Sequence, residues 1–443
     1  MMRRTPPKLS RTNSRDGLGR RIISRERLQA VSGDFGNAIR LMPSAAVAPR
    51  TAAELRQLVS HCAENKVRVV ARGAGHSTEG QSQTDGGVLV LTHKLQEIRI
   101  QKGTVTVGAG VRWATVVRRL AEQNLRVPVL PDYLDLSVGG TLSVGGVGKG
   151  SHVHGLQIDN VVGLEVVTGH GRLVRCSRTK NAELFKAVLG GVGMFGIITR
   201  ATLRTIPATR FVHIAHQTFE DWKKFAEQLK RASLNPNYYS VAGHRLPDGT
   251  LLLEITMESD TKDIEQSTLV DALGLEPSYG VERYVDFVSA NATRETKVVA
   301  DRYPSWLSMM VPGNAFDSFV RANQRLLRSS WCVVIPILKR RSSVVSLFQP
   351  AAGAVGSMAF GVLFMRTAKS LAELRKYRAA NSRCVERLYP AGGRRYLGDG
   401  LPTGPSEWAR HLGPRSTKVA SLKAKVDPNG ILGPTSSGPT AGK

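Results

Sequence analysis

The chain is short of cysteine, aromatic residues and acid. Four cysteines, Cys62, Cys176, Cys332 and Cys384, are scattered over 443 residues with no Cys-x-x-Cys pair. That spacing argues against a disulfide framework or a zinc site. Reduced structural cysteines in a cytoplasmic protein, with no metal, are the expectation. Aromatics make up 6% of the chain, and no helix-turn-helix, RNP-like or zinc-finger pattern accompanies the basic residues. Nowhere do about 18 apolar residues run together, so no transmembrane helix and no membrane partner are expected. Acid is scarce: 35 Asp and Glu face 62 Lys and Arg, a net charge of +27. The basic residues are spread along the chain. This reads as a solvated basic surface, and nucleic acid is not the expected partner. Residues 1–28 carry the pairs Arg3-Arg4 and Arg20-Arg21 with no apolar stretch after either. They read as a disordered basic arm rather than an export signal.

What is present is globular: 41% hydrophobic residues and enough length for two or three cored domains. Thr51 with Glu54 has the spacing of a capping box, and Leu55, Leu58, Val59 and Cys62 follow at helical spacing, predicting a helix over 51–65. The run Val67-Arg-Val-Val-Ala-Arg72 predicts a strand, which breaks into Gly73-Ala-Gly75-His76-Ser77. A strand feeding a glycine turn offers backbone N–H groups and a nucleophile to a phosphorylated cofactor. Alone, the same stretch is equally an ordinary turn with a solvated histidine. Strands at 87–91, 96–100 and 104–107 and a helix over 113–124 follow. From Gly139 to Gly150, seven of twelve residues are Gly or Ser. That composition suits a helix or strand poorly and predicts a loop wrapped around a ligand. Strands are expected at 161–168, 173–176 and 197–204, and a helix over 181–189 capped by Asn181. Beyond about 210 glycine thins out. Helices over 219–231, 314–328 and 368–378 and strands at 250–257, 332–338 and 355–365 predict a separate α+β unit.

Three stretches together carry a resemblance. They are Ala71-Arg-Gly-Ala-Gly-His-Ser77 with Gly80-Gln81; Asp132-Tyr-Leu-Asp-Leu-Ser137 through Ser143; and His154-Gly-Leu-Gln-Ile-Asp-Asn-Val161 with Leu189 through Arg200. The set resembles the FAD-binding domain of vanillyl-alcohol-oxidase-type flavoproteins, and within them is most similar to cytokinin dehydrogenases. Ser32-Gly-Asp-Phe-Gly-Asn37 and the tail Asp427-Pro-Asn-Gly-Ile-Leu432 fit the same family. The resemblance implies an α+β, two-subdomain FAD-binding PCMH-type fold with a second α+β substrate (cap) domain. It places the FAD-binding domain at 29–207, the cap at 208–395, a returning C-terminal segment at 396–432 and a disordered tail at 433–443.

By the same resemblance the cofactor is FAD, bonded covalently through His76. Ala71, Gly73, Ala74, Gly75, Ser77 and Gln81 match one half of its cradle. Ser137, Ser143, Val147 and Ile198 match the other half, and Tyr396 the segment closing over the ring. No cysteine lies between Cys62 and Cys176, so a single histidyl bond is expected. Asp132 matches the aspartate that sits beside the flavin and accepts the substrate amine proton. The implied activity is oxidation of a small-molecule, cytokinin-like secondary amine. An alcohol, sugar or lactone oxidase of the same fold is the alternative, and a basic surface-binding protein on a degenerate flavin fold a third reading. The chain departs from the family in three places: Ala242 stands where plant enzymes carry a pocket glutamate, Pro434-Thr-Ser436 replaces Pro-Gly-Gln, and Tyr396-Leu-Gly-Asp399 replaces Tyr-Leu-Pro-His.

Overall fold

The computed structural model describes residues 25–262, 278–290, 302–338 and 357–434. Within them the strands form three sheets and one short pair.

The first sheet is small and parallel, in the order β1 (Ala45–Val47), β3 (Val88–Leu91), β2 (Val69–Arg72). All four residues of β3 are buried, as a parallel strand covered on both faces requires. The helix Ala52–Glu64 covers one side with Leu55, Leu58, Val59 and Cys62. Its expected cap is half present. Thr51 accepts from the Glu54 backbone at 3.1 Å, but the Glu54 carboxylate reaches the Arg50 N–H instead of returning to Thr51. The other side meets Leu28 and Val31. Those residues belong to a helix, Arg25–Val31, so the end of the expected disordered arm is ordered by packing.

A five-stranded antiparallel sheet follows. Its strands are β4 (Ile98–Gln101), β5 (Thr104–Gly108), β7 (Val161–Val167), β8 (Leu173–Ser177) and β9 (Ile197–Arg204), ordered β4-β5-β9-β7-β8. The strand β6 (Leu125–Arg126) pairs with β10 (Ile206–Pro207). Helix Trp113–Ala121 buries Val116, Val117 and Leu120 against the main core. Asn181 does precede the helix Ala182–Val188, but in a left-handed conformation with no capping bond; its side chain donates to Arg175 instead.

The glycine-rich stretch is not a loop throughout. Residues Val138–Val144 form a helix, and Ser151–His154 a single turn. Propensity is overridden by close approach: a Cβ on Gly139 would lie 2.7 Å from the Ala109 Cβ. The glycine lets the helix settle against β5's exit, with Val138 and Leu142 fully buried.

The third sheet is antiparallel and large. Its members are β11 (Phe211–Phe219), β12 (Tyr238–Arg245), β13 (Leu251–Ser259), β14 (Ser278–Arg283), β15 (Tyr303–Pro312), β16 (Trp331–Leu338), β17 (Met358–Ala368) and β18 (Arg394–Arg395), ordered β14-β11-β13-β12-β16-β17-β15-β18. Helix Trp222–Ser233, capped by Asp221, and helix Leu371–Leu388 pack on it. The helix expected over 314–328 breaks at Asn323 into Phe316–Ala322 and Gln324–Arg328. The helix expected to end at 378 continues to Leu388. Its polar-looking extension hides a buried seam, with Asn381 bonded to Arg366 and Ser305, and Cys384, Val385 and Leu388 in the core. The part of the expected strand 355–365 before residue 357 lies outside the described residues, as do residues 435–443 of the tail.

Candidate functional site

The turn after β2 is compressed by its glycines. Gly75 has φ +77, and a Cβ on Gly73 would sit 2.1 Å from Ser137 Oγ. Only glycine at 73 lets this turn meet the start of helix Val138–Val144. His76 then projects into a nest of rings. Phe35 stacks on it at 3.8 Å, with Tyr133 at 4.7 Å and Trp306 at 5.7 Å. Burial, reinforced by repulsion from Arg112, lowers the imidazole to about 4. His76 is therefore neutral at physiological pH, as a nucleophilic nitrogen must be.

The opposite wall comes from helix Val138–Val144 and the loop after Leu189. Gly190 N–H donates to Leu142 O at 2.9 Å and Val192 N–H to Ser143 O at 2.8 Å. These bonds tie the two glycine-rich segments together. Between the walls lies a cavity of about 210 Å³. Ala71, Gly73, Ala74, Gly75, His76, Ser77, Gln81, Ser137, Ser143, Ile198 and Tyr396 all line it. Val147 does not; its Cγ1 faces Gly361 of β17, at the seam with the third sheet.

The far end is closed by the segment after β18. Tyr396 Oη accepts from Gly146 N–H at 3.2 Å, and Gln81 donates to Leu397 O and Gly398 O at 3.3 and 3.0 Å. Asp399, bonded by Ser308 Oγ, also lines the cavity. Burial raises it to about 6, against the pull of Ser308 and Arg395.

Asp132 is placed differently. It does not line the cavity, although its neighbour Tyr133 contacts the His76 ring. Its side chain is 48% exposed, and one oxygen, Oδ1, receives the Lys149 ammonium at 2.8 Å. Lys149 is buried, and sequence reasoning missed it. The signal was available, since it is the one charged residue between Ser137 and Gly150. Glu254 was also missed. It lies directly across from Ala242 on β13 and across from His216 on β11, and it accepts from His216 at 3.2 Å. Burial opposes its ionisation, but the His216 bond and the Lys149 charge bring Glu254 down to about 2. A carboxylate thus stands one strand away from the position where Ala242 lacks one.

The lining of the cavity suits the diphosphate of a dinucleotide. Its walls are glycines whose approach to neighbouring segments a Cβ would block, and Ser137 Oγ is buried there without a protein partner. No lysine or arginine lines it, so a pyrophosphate would be held by backbone N–H groups and hydroxyls.

Known proteins agree. Residues 43–177 match the FAD binding domain family model. The chain is 33% identical, over 92% of its length and 96% of the relative's, to an uncharacterized oxidoreductase of the fasciation locus in Rhodococcoides fascians. It is 31% identical to cytokinin dehydrogenase 3 of Oryza sativa subsp. japonica, covering 91% of this chain and 88% of that one. Among solved structures, a chitooligosaccharide oxidase superposes with a TM-score of 0.75 at 19% identity, over 94% of this chain and 96% of that one. The Physcomitrella patens BBE-like 1 protein gives 0.74 at 20%, with the same coverage. The structural likenesses speak for the fold alone. The family model and the curated relatives, taken with the glycine-walled cavity and the half-buried His76, make this chain an FAD-dependent oxidoreductase with the PCMH-type α+β fold, a member of the FAD-linked oxidase family that includes the cytokinin dehydrogenases.

Proposed function

We propose that the protein oxidises a cytokinin-like secondary amine, with its flavin bonded to His76. The carrying observation is the Asp132 carboxylate, half exposed and adjacent to the Tyr133 ring that packs on His76. FAD, when bound, would supply the acceptor for a hydride from the substrate carbon next to nitrogen. The residues around it do the rest. The glycine turn at Gly73–Gly75 and Ser137 would hold the diphosphate, and Tyr396 and Gln81 fasten the closing segment. Asp132 accepts the amine proton through the oxygen that Lys149 leaves open. Losing that proton and the hydride converts the amine to an imine, which water splits into a primary amine and an aldehyde. A carboxylate at this point relieves the positive charge that develops on nitrogen as hydride leaves.

A second reading, oxidation of an alcohol, sugar or lactone, draws on the Lys149 ammonium beside Asp132. Such a substrate needs a base or a cation near the reacting centre and has no use for a free aspartate. Anaerobic mixing separates the two. Isopentenyladenine should bleach the flavin and Asp132→Asn should abolish the bleaching. Bleaching by alcohols only, unaffected by Asp132→Asn, would replace the first reading with the second. Acid denaturation tests the bond to His76: yellow colour should stay with the chain, and colour released to the supernatant would refute it.

A further inference from the structure

We propose that Lys149 is a positioning residue for Asp132: a buried ammonium that grips one carboxylate oxygen and aims the other at the substrate. This rests on the reading of Asp132 as the amine-proton acceptor. Three observations carry it. Lys149 Nζ is 2.8 Å from Asp132 Oδ1, and its side chain is 7% exposed against 48% for Asp132. Charge is therefore fixed on the buried side and open on the other. The Lys149 backbone is itself clamped, exchanging two bonds with Leu130, at 2.8 and 3.1 Å, two residues before Asp132. Nζ also lies 5.1 Å from the Phe287 ring, so the ammonium is held from the apolar side.

The surroundings keep Lys149 charged. Burial opposes its charge, but Asp132 and Glu254 outweigh it, and its affinity for the proton is raised. The titratable groups facing the pair come from several elements. They are Glu254 on β13, His216 on β11, His244 and Tyr239 on β12, and Tyr284 on the helix Tyr284–Ala290. His244 is held neutral by its burial despite the neighbouring carboxylates. Tyr239 and Tyr284 are held as phenols, again by burial first. Glu254 remains charged and balances Lys149 from the other side. The only cation within bonding distance of Asp132 among the described residues is Lys149. Removing it should free the Asp132 carboxylate to rotate out of its aim, because no other cation among the described residues holds either oxygen.

The experiment compares wild type, Lys149→Met and Asp132→Asn, each as the flavin-loaded enzyme, using isopentenyladenine. Methionine keeps the length of the stem and can pack on Phe287. For Lys149→Met, kcat should fall roughly tenfold with KM changing little, because an interaction that aims the acceptor acts on turnover rather than on substrate binding. Kinetics superimposable on wild type, or a rise in KM with kcat unchanged, overturn the proposal. If Asp132→Asn keeps wild-type turnover, or if wild type does not oxidise isopentenyladenine, the amine reading has failed, and the role given to Lys149 falls with it. Asp132→Asn inactive beside a Lys149→Met with wild-type kcat refutes the positioning role alone. Thermal unfolding of the two single variants and the double variant adds an arm independent of substrate. The double variant should melt no lower than Lys149→Met, and additive losses would overturn the pairing. Should Lys149→Met not fold, Lys149→Gln carries the same comparisons.

Discussion

An imidazole stacked on Phe35 at 3.8 Å, with the rings of Tyr133 and Trp306 within 5.7 Å, has little access to water. That is why His76 falls from 6.5 to about 4. The sign has two consequences. First, the unfolded chain takes up a proton on this side chain before the folded chain does. His76 therefore costs the fold stability as pH falls from 6.5 toward 4, and His76→Ala should remove that part of the acid sensitivity in pH-dependent melting curves. Second, the nitrogen stays nucleophilic in mild acid. If it bonds the flavin, FAD added to apoprotein should attach at a nearly constant rate from pH 8 to about pH 5 and slow through pH 4. In-gel flavin fluorescence measures this. A fall already below pH 6.5 would mean an ordinary, solvated histidine. His76→Ala should give no fluorescent band while the native protein still takes up flavin.

At the level of single elements, the glycine-rich stretch is the instructive case. Helix Val138–Val144 exists because Gly139 sits against Ala109, where a Cβ would be 2.7 Å from the Ala109 Cβ and 3.0 Å from its carbonyl oxygen. Gly139→Ala should cost about 1–3 kcal/mol by forcing those atoms apart, and should lower visible flavin absorbance per chain, because the helix forms one cavity wall. Gly280→Ala is the control. A Cβ there meets nothing within 4 Å, so its thermal midpoint should move by less than about 0.5 kcal/mol's worth. Equal losses in both variants would contradict this account. The same element marks the limit of sequence reading. Strand β2 and the turn to His76 were legible because β-branched residues and glycines signal themselves locally. Helix Val138–Val144 was not, since its glycines look like a loop until Ala109 is placed beside them. Lys149 and Glu254 were missed for a related reason. Their partners lie far along the chain, Asp132 across the Leu130 bridge and His216 across a strand pairing, and no local pattern reports such pairs. The break at Asn323 is of the same kind, as its carboxamide is held by Phe319 and by the remote Arg387.

Across the whole molecule, the C-terminal segment holds the two smaller sheets and the cavity together. Leu432 runs parallel to Val69, and Val69 N–H donates to Ile431 O at 2.7 Å, so the tail continues the sheet that carries the His76 turn. Asp427 organises this return. Its fully buried carboxylate accepts from Ile431 N–H at 3.0 Å and Leu432 N–H at 2.9 Å and pairs with Lys423. Lys423 in turn donates to Met194 O at 2.7 Å, in the loop between Gly190 and Gly196 that forms the second wall, and to Leu432 O at 2.9 Å. One acid therefore connects the parallel sheet, the loop that precedes β9, and the tail. Asp427→Ala strips two backbone N–H groups of their acceptor and leaves the Lys423 charge half buried without its carboxylate. Breaking such a pair from one side should cost about 3–5 kcal/mol. Because both cavity walls loosen together, flavin content should fall along with the melting temperature, and adding excess FAD should recover part of the loss by mass action. Lys425→Ala, exposed on the helix Ser416–Val426 that also carries Lys423, should change neither quantity. Thermal unfolding with and without added FAD decides the matter. A destabilised Asp427→Ala protein that keeps full flavin occupancy at low FAD would show that the tail supports the fold without supporting the cavity.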